Sequence, residues 1–107
     1  MSTNGKQKGK RGEREFASLL REHGFTARRG QQFKGGNDSD DVVCEELRDK
    51  VNFEVKRVER LNIEDAMSQA KADAGDRIPI VAHRKNNGEW LLTFRACDIL
   101  PKLEDAI

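Results

Sequence analysis

Ser39-Asp40-Asp41-Val42-Val43-Cys44 is followed, after a short charged turn, by Val51-Asn52-Phe53-Glu54-Val55-Lys56. An acidic pair opens one β-branched run, and the second run places Glu54 and Lys56 either side of Val55. Strand side chains alternate faces, so Glu54 and Lys56 point one way while Phe53 and Val55 point the other. Paired as a hairpin, the two runs bring Asp40 or Asp41 next to Glu54. Two carboxylates and an ammonium then meet at one place. Hard oxygen ligands of this kind suit Mg²⁺, which keeps several waters and takes one or two carboxylates plus substrate phosphate. The ammonium can position a water or balance charge building on a phosphate. The constellation reads as a metal-dependent phosphodiesterase. A solvated hairpin face carries Glu-x-Lys just as readily, so the rest of the chain has to decide.

The chain has 107 residues, enough for one domain with a modest core. Its formal net charge is only +1, but the charge is unevenly spread. Residues 1–34 hold nine Lys and Arg against three Asp and Glu, and residues 35–54 hold two against seven. A basic arm ahead of an acidic cluster is what a nucleic-acid enzyme with a metal site needs, and also what a charged interaction tail looks like. Cys44 and Cys97 follow no metal-ligand spacing and imply no bridge, which points to a reducing compartment. No apolar run is long enough to span a membrane, and the basic N-terminus has no hydrophobic segment behind it. The expectation is a cytoplasmic protein of a bacterial or archaeal cell, or of a phage-infected host.

Residues 1–10 read as a flexible basic arm, and residues 11–107 as a single nuclease domain. From Arg11 to His23, Phe16, Ala17, Leu19 and Leu20 form a helical stripe that Gly24 ends. Glu13 falls on that stripe, whereas Glu15 and Glu22 look solvated. His23 reads as a packing residue at the helix end. Phe25 to Gly30 is a strand, and Gln31 to Ser39 a Gly-rich loop flanked by Arg28, Arg29 and Lys34. Val42 to Cys44 and Lys50 to Arg57 are strands joined by the turn Glu45 to Asp49. Asn62 caps a helix whose Ile63, Ala66, Met67, Ala70 and Ala74 repeat at helical spacing up to Gly75. Gln69 lies beside that stripe, within reach of the sheet face. Ile78 to Arg84 and Glu89 to Phe94 are strands joined at Asn87-Gly88, and a last helix from Ala96 breaks or restarts at Pro101. The order α-β-β-β-α-β-β gives a mixed α/β fold, a central mixed sheet flanked by helices.

A helix bearing an acid, an Asp before two aliphatics, Glu-x-Lys, then a helix with Gln-Ala resembles the PD-(D/E)XK nuclease superfamily and its restriction-endonuclease-like core. Within it the chain most resembles the Holliday junction resolvases of archaea and their phage relatives. Lys8-Gly9-x-x-x-Glu13-Arg14 and Leu20-Arg21-Glu22-x-Gly24-Phe25 are similar to the start of those proteins. So are Asp41-Val42-Val43, Glu54-Val55-Lys56-Arg57-x-Glu59-x-Leu61-Asn62, Gln69-Ala70 and Pro79-x-Val81-x-His83-Arg84. The resemblance implies that Glu13, Asp41 and Glu54 hold the metal with the Val55 carbonyl, that Lys56 positions water, and that Gln69 orients the site. It implies Mg²⁺, with Mn²⁺ as a substitute, and no small-molecule cofactor. Two departures stand out. The family's Pro before the Asp is Asp40 here, which leaves Asp40 and Asp41 as rival ligands, with Asp41 favoured by the Val42-Val43 that follows it. The serine that archaeal resolvases carry after the first strand falls near Phe33.

The expected function is a structure-selective endodeoxyribonuclease that resolves four-way junctions by paired symmetric nicks. Lys6, Lys8, Lys10, Arg11, Arg14, Arg28, Arg29, Lys34 and Arg57 would grip the DNA backbone without reading sequence. The expected partners are branched double-stranded DNA and a second copy of the chain, whose two-fold symmetry would match the junction. Trp90, Leu92 and Met67 are candidates for that interface. Two other readings remain: the same nuclease acting on another DNA structure in repair or restriction, and a non-catalytic DNA-binding module.

Overall fold

The computed structural model describes residues 5–30 and 40–107, and the Gln31–Ser39 loop with Lys34 and Phe33 lies outside them. Three helices and five strands follow in the order α1 (Gly5–Glu22), β1 (Ala27–Arg29), β2 (Val42–Cys44), β3 (Val51–Arg57), α2 (Ile63–Ala74), β4 (Ile78–Arg84), β5 (Leu91–Phe94), α3 (Ala96–Asp105). The strands form one sheet in sequence order. β1–β2, β2–β3 and β4–β5 are antiparallel, and β3–β4 is parallel with α2 as its crossover. The mixed sheet flanked by helices is the one the sequence predicts.

Each face of the sheet is covered by its own helix. Phe53, Val55, Ile80 and Ala82 face α1, where Phe16, Ala17 and Leu20 pack on them together with Ala27, Val42 and Cys44. Phe16 meets Phe53 edge-on at 5.2 Å between ring centroids and Trp90 at 5.3 Å. The opposite face carries Val81 under Ala66 and Ala70 of α2, with Met67 and Ile63 at its margin. Small residues along α2 let it lie close to the central strands.

Local chemistry sets most of the boundaries. α1 stops in a Schellman arrangement: Gly24, at φ +92°, donates its N–H to the Arg21 carbonyl, and Phe25 donates to that of Leu20. The Asn62 side chain accepts the Asp65 N–H at 3.1 Å, capping α2. Asn87 takes φ 62° and the Gly88 N–H returns to the Lys85 carbonyl, turning β4 into β5. Pro79 sits at the start of β4, before the β5 pairing begins at Ile80.

Four details depart from the sequence expectations. α1 begins at Gly5 rather than Arg11; Lys6, Gln7, Lys8, Lys10 and Arg11 are all good helix formers, which lets the helix run back beyond its apolar stripe. Glu15 is not a solvated charge, since it pairs with Arg57 at 3.0 Å and Arg84 at 3.5 Å across the α1–sheet seam. His23 is exposed rather than packed. α3 runs unbroken through Pro101; the ring removes only one backbone donor, and on an exposed helix water satisfies the carbonyl left behind.

Gly12 lets α1 lie close against the sheet. A Cβ built there would stand 2.9 Å from the Cβ of Arg57 and 3.7 Å from Val55 Cγ1. Gly12→Val is therefore expected to push α1 off β3 and cost about 1–3 kcal/mol of stability, read as a lower urea midpoint at unchanged slope. An unchanged midpoint would mean that α1 does not rest on β3 as described.

Candidate active site

The β2–β3 register opposes Val42 to Phe53, so Asp41, one residue before β2, stands beside Glu54. Asp41 Oδ2 accepts the Val55 N–H at 2.8 Å, which ties the carboxylate to the strand that carries Glu54. Glu54 is only 4% exposed. Burial, then a hydrogen bond shared with Asp41 and the Asp41 charge, push its pKa up to about 8, against the pull of Lys56. Lys56, on the same face of β3, holds its Nζ 3.9 Å from Glu54 Oε1. Asp41, Glu54 and Lys56 are thus brought together as the Ser39–Lys56 stretch predicts.

Asp40 is equally acidic but differently used. It is 3% exposed and lies fork-to-fork on Arg77, with Nη1–Oδ2 2.7 Å and Nη2–Oδ1 3.0 Å. The same guanidinium donates to the carbonyls of Ala74, Asp73 and Arg48. A bidentate buried pair of this kind is structural and leaves no carboxylate oxygen without a partner. Asp40 is therefore the clamp and Asp41 faces Glu54. Nothing in the sequence pairs Arg77 with Asp40, 37 residues away; only the fold does.

Glu13 sits on α1 near Asp41, whose charge adds to burial in raising its pKa. Its Oε1, however, accepts from Arg29 Nε at 3.0 Å. Among the described residues no three His, Cys, Asp or Glu side chains meet as one metal-binding group. The close pair is Asp41 and Glu54, and Arg29 holds the third expected acid. Gln69 is exposed on α2. One turn further along α2, Asp73 is near enough for its charge to raise the Glu54 pKa, a carboxylate that sequence spacing alone did not single out.

The expected DNA-contact residues divide by environment. Lys10, Arg11 and Arg14 are exposed on α1, and Lys10 is close enough to Glu13 to lower its pKa. The cationic helix surface therefore flanks the carboxylates. Arg28 pairs with Glu45 at 3.6 Å and Arg29 with Glu13. Arg57 is 12% exposed and bound to Glu15 and Asn86, so it anchors α1 to the sheet. Lys8 lies on α1, and Lys34 is outside the described residues.

Two groups on the α2 face went unassigned by sequence. His83 is the β4 neighbour of Lys56 and bonds Thr93 Oγ1 at 2.9 Å, with burial lowering its pKa. Asn52 is 1% exposed; its Nδ2 donates to the Ala70 carbonyl while its Oδ1 has no partner among the described residues.

Comparison with known proteins bears on the family and the fold. The model of the archaeal Holliday junction resolvase (Hjc) family matches residues 4–96. Among solved structures, Hjc of Archaeoglobus fulgidus, described as a Holliday junction resolvase from an archaeal hyperthermophile, superposes with a TM-score of 0.55. The two are 25% identical over 81% of this chain and 72% of that one. No curated protein sequence matches.

The raised Glu54 pKa has a sign that can be measured. Its folded value lies above the ordinary 4.5, so the fold favours the protonated carboxyl. Its contribution to stability is full below pH 4.5 and is lost as pH rises through about 8. Without divalent ions, Tm is expected to fall across that window, and Glu54→Gln to flatten the fall. Added Mg²⁺ or Mn²⁺ should raise Tm most at the alkaline end, where both carboxylates are charged. Differential scanning calorimetry from pH 5 to pH 9, with and without metal, reads all three. A wild-type profile matching that of Glu54→Gln would contradict the assignment.

Proposed function

We propose, from the premise that this chain belongs to the archaeal Holliday junction resolvase family, that Asp41 and Glu54 hold a divalent ion and that Lys56 serves the water attacking DNA. The chain is a junction-resolving nuclease of that family. The observation that carries the residue assignment is the pair of carboxylates facing each other, one buried, with an ammonium alongside. Two like charges enclosed together are costly unless one takes a proton or a cation joins them. The donor set is all oxygen, which fits Mg²⁺, and Mn²⁺ accepts the same ligands.

A bound ion would polarise the phosphate and make its water acidic. The chain's own groups do the rest. The Val55 N–H fixes Asp41 Oδ2, so the carboxylate is held in place before substrate arrives. The Val55 carbonyl lies in the same peptide run and is a further oxygen donor. Lys56 donates hydrogen bonds to the attacking water or to the phosphate as negative charge builds. Glu13, now held by Arg29, would supply a third oxygen donor to the ion if that pair opened, and Gln69 would orient the scissile strand from α2. Lys8, Lys10, Arg11, Arg14 and Lys34 supply backbone contacts whose strength falls with salt.

Resolution needs two cuts related by two-fold symmetry, and a homodimer presents two sites in that relation. We place the protein in the cytoplasm with the DNA it cuts; no helix among the described residues is long and apolar enough to cross a membrane.

The test is cleavage of an end-labelled four-way junction beside linear duplex and flap controls, in Mg²⁺, in Mn²⁺ and in chelator. Paired symmetric nicks on the junction are expected with either ion and none with chelator. Glu54→Ala and Lys56→Ala should each lower the rate by about 10²–10³ or more while junction binding persists. Cleavage in chelator, or an undiminished Glu54→Ala enzyme, would overturn the residue assignment.

A further inference from the structure

A cleft of about 260 Å³ opens one strand over from Lys56. Lys56, His83 and Leu91 are register partners across β3, β4 and β5, so their side chains form one row on one face of the sheet. The cleft takes up that row at His83 and Leu91. Val58, Leu61 and Leu91 give it apolar walls, and Val58 and Leu91 are 36% and 49% exposed. Glu59 accepts the Asn86 N–H, which ties the segment after β3 to the β4–β5 turn on either side of the cleft.

Its polar groups suit a neutral ring better than an anion. Arg84 is engaged by Glu15 at 3.5 Å, which leaves Lys85 set against Glu59 and Glu89. A phosphate seated inside would meet two carboxylates for one ammonium. His83 is held by Thr93 Oγ1 at 2.9 Å through one ring nitrogen, and burial lowers its pKa from the ordinary 6.5. At neutral pH it is therefore an uncharged ring whose other nitrogen can bond a ligand. A carboxylate accepts hydrogen bonds from the exocyclic amines of bases. The volume lies below the roughly 300–1,000 Å³ of clefts that take drug-sized ligands, which suits a single heterocycle.

We propose that this cleft receives one unstacked nucleobase of branched DNA, laid against Val58, Leu61 and Leu91 with its polar edge toward His83 and Glu89, while its phosphates stay outside beside Lys56. DNA is the occupant because the cleft continues the row that begins at Lys56, the residue assigned above to the scissile phosphate; the inference rests on that assignment. Drawing a base from the stack costs least where stacking is already interrupted, as at a branch point. Contact with a ring face accepts every base. The cleft thus reads branching rather than sequence.

The test places 2-aminopurine, which brightens when unstacked, at each nucleotide bordering the branch of a four-way junction and of a flap. The full chain is bound in chelator, so that no strand is cut, and the folding of each variant is checked by circular dichroism. Wild type should brighten one branch position. Leu91→Glu, and independently Val58→Asp, should abolish the rise and weaken junction binding about 5-fold or more, the low end for a base held by stacking, with duplex binding unchanged. Leu103→Glu, on the helix that leaves the other end of β5, should behave as wild type. An abasic nucleotide at the bright position should make wild type and Leu91→Glu bind equally. No rise at any position on a junction that wild type binds and cuts would overturn the proposal and leave the junction reading standing. A rise that persists in both cleft variants, or a Leu91→Glu defect that survives the abasic nucleotide, would overturn it too. A rise on the flap with no binding or cutting of the junction would keep the base site and remove the junction reading.

Discussion

The Arg77 guanidinium is the contact on which the site depends. It reaches across the start of β2 and the end of α2, clasps both oxygens of buried Asp40, and takes up carbonyls of Arg48, Ala74 and Asp73. With Asp40 held on Arg77, Asp41 is the acid that stands beside Glu54. A charge-assisted, bidentate contact is strong enough to set that choice. Burying Asp40 without its partner would leave an uncompensated charge, which typically costs about 3–5 kcal/mol. The clamp thus turns an ambiguous acidic pair into one carboxylate held on Arg77 and one beside Glu54.

The sheet then does the positioning. The central strand β3 is buried on both faces, Phe53 and Val55 under α1 and Asn52 and Glu54 under α2. Glu54 is held in a place that disfavours its charge. Gly12, by letting α1 approach within contact of β3, keeps Glu13 close to Asp41 while Arg29 restrains it. Stability and chemistry share the same few contacts: loosening α1 or Arg77 would loosen the carboxylates.

Much of this was legible in the chain. The alternation in Val51–Lys56, the cap at Asn62, the stop at Gly24 and the turn at Asn87-Gly88 each express local backbone chemistry, and all appear where expected. The Asp41–Glu54–Lys56 meeting was legible because it needs only one hairpin register. What was not legible depends on pairings distant in sequence: Arg77 with Asp40, Glu15 with Arg57 and Arg84, Glu13 with Arg29, and Asp73 near Glu54. No spacing rule foretells which of many charges on a heavily ionic chain will meet. The uninterrupted α3 belongs to the same class, since an exposed helix tolerates a proline that a buried one would not.

The most direct test is anomalous diffraction from crystals grown with Mn²⁺. The account predicts a manganese peak between the Asp41 and Glu54 carboxylates, beside the Val55 carbonyl, with Asp40 still clasped by Arg77. A peak on Asp40, or an Asp41–Glu54 pair left without metal at saturating Mn²⁺, would contradict it.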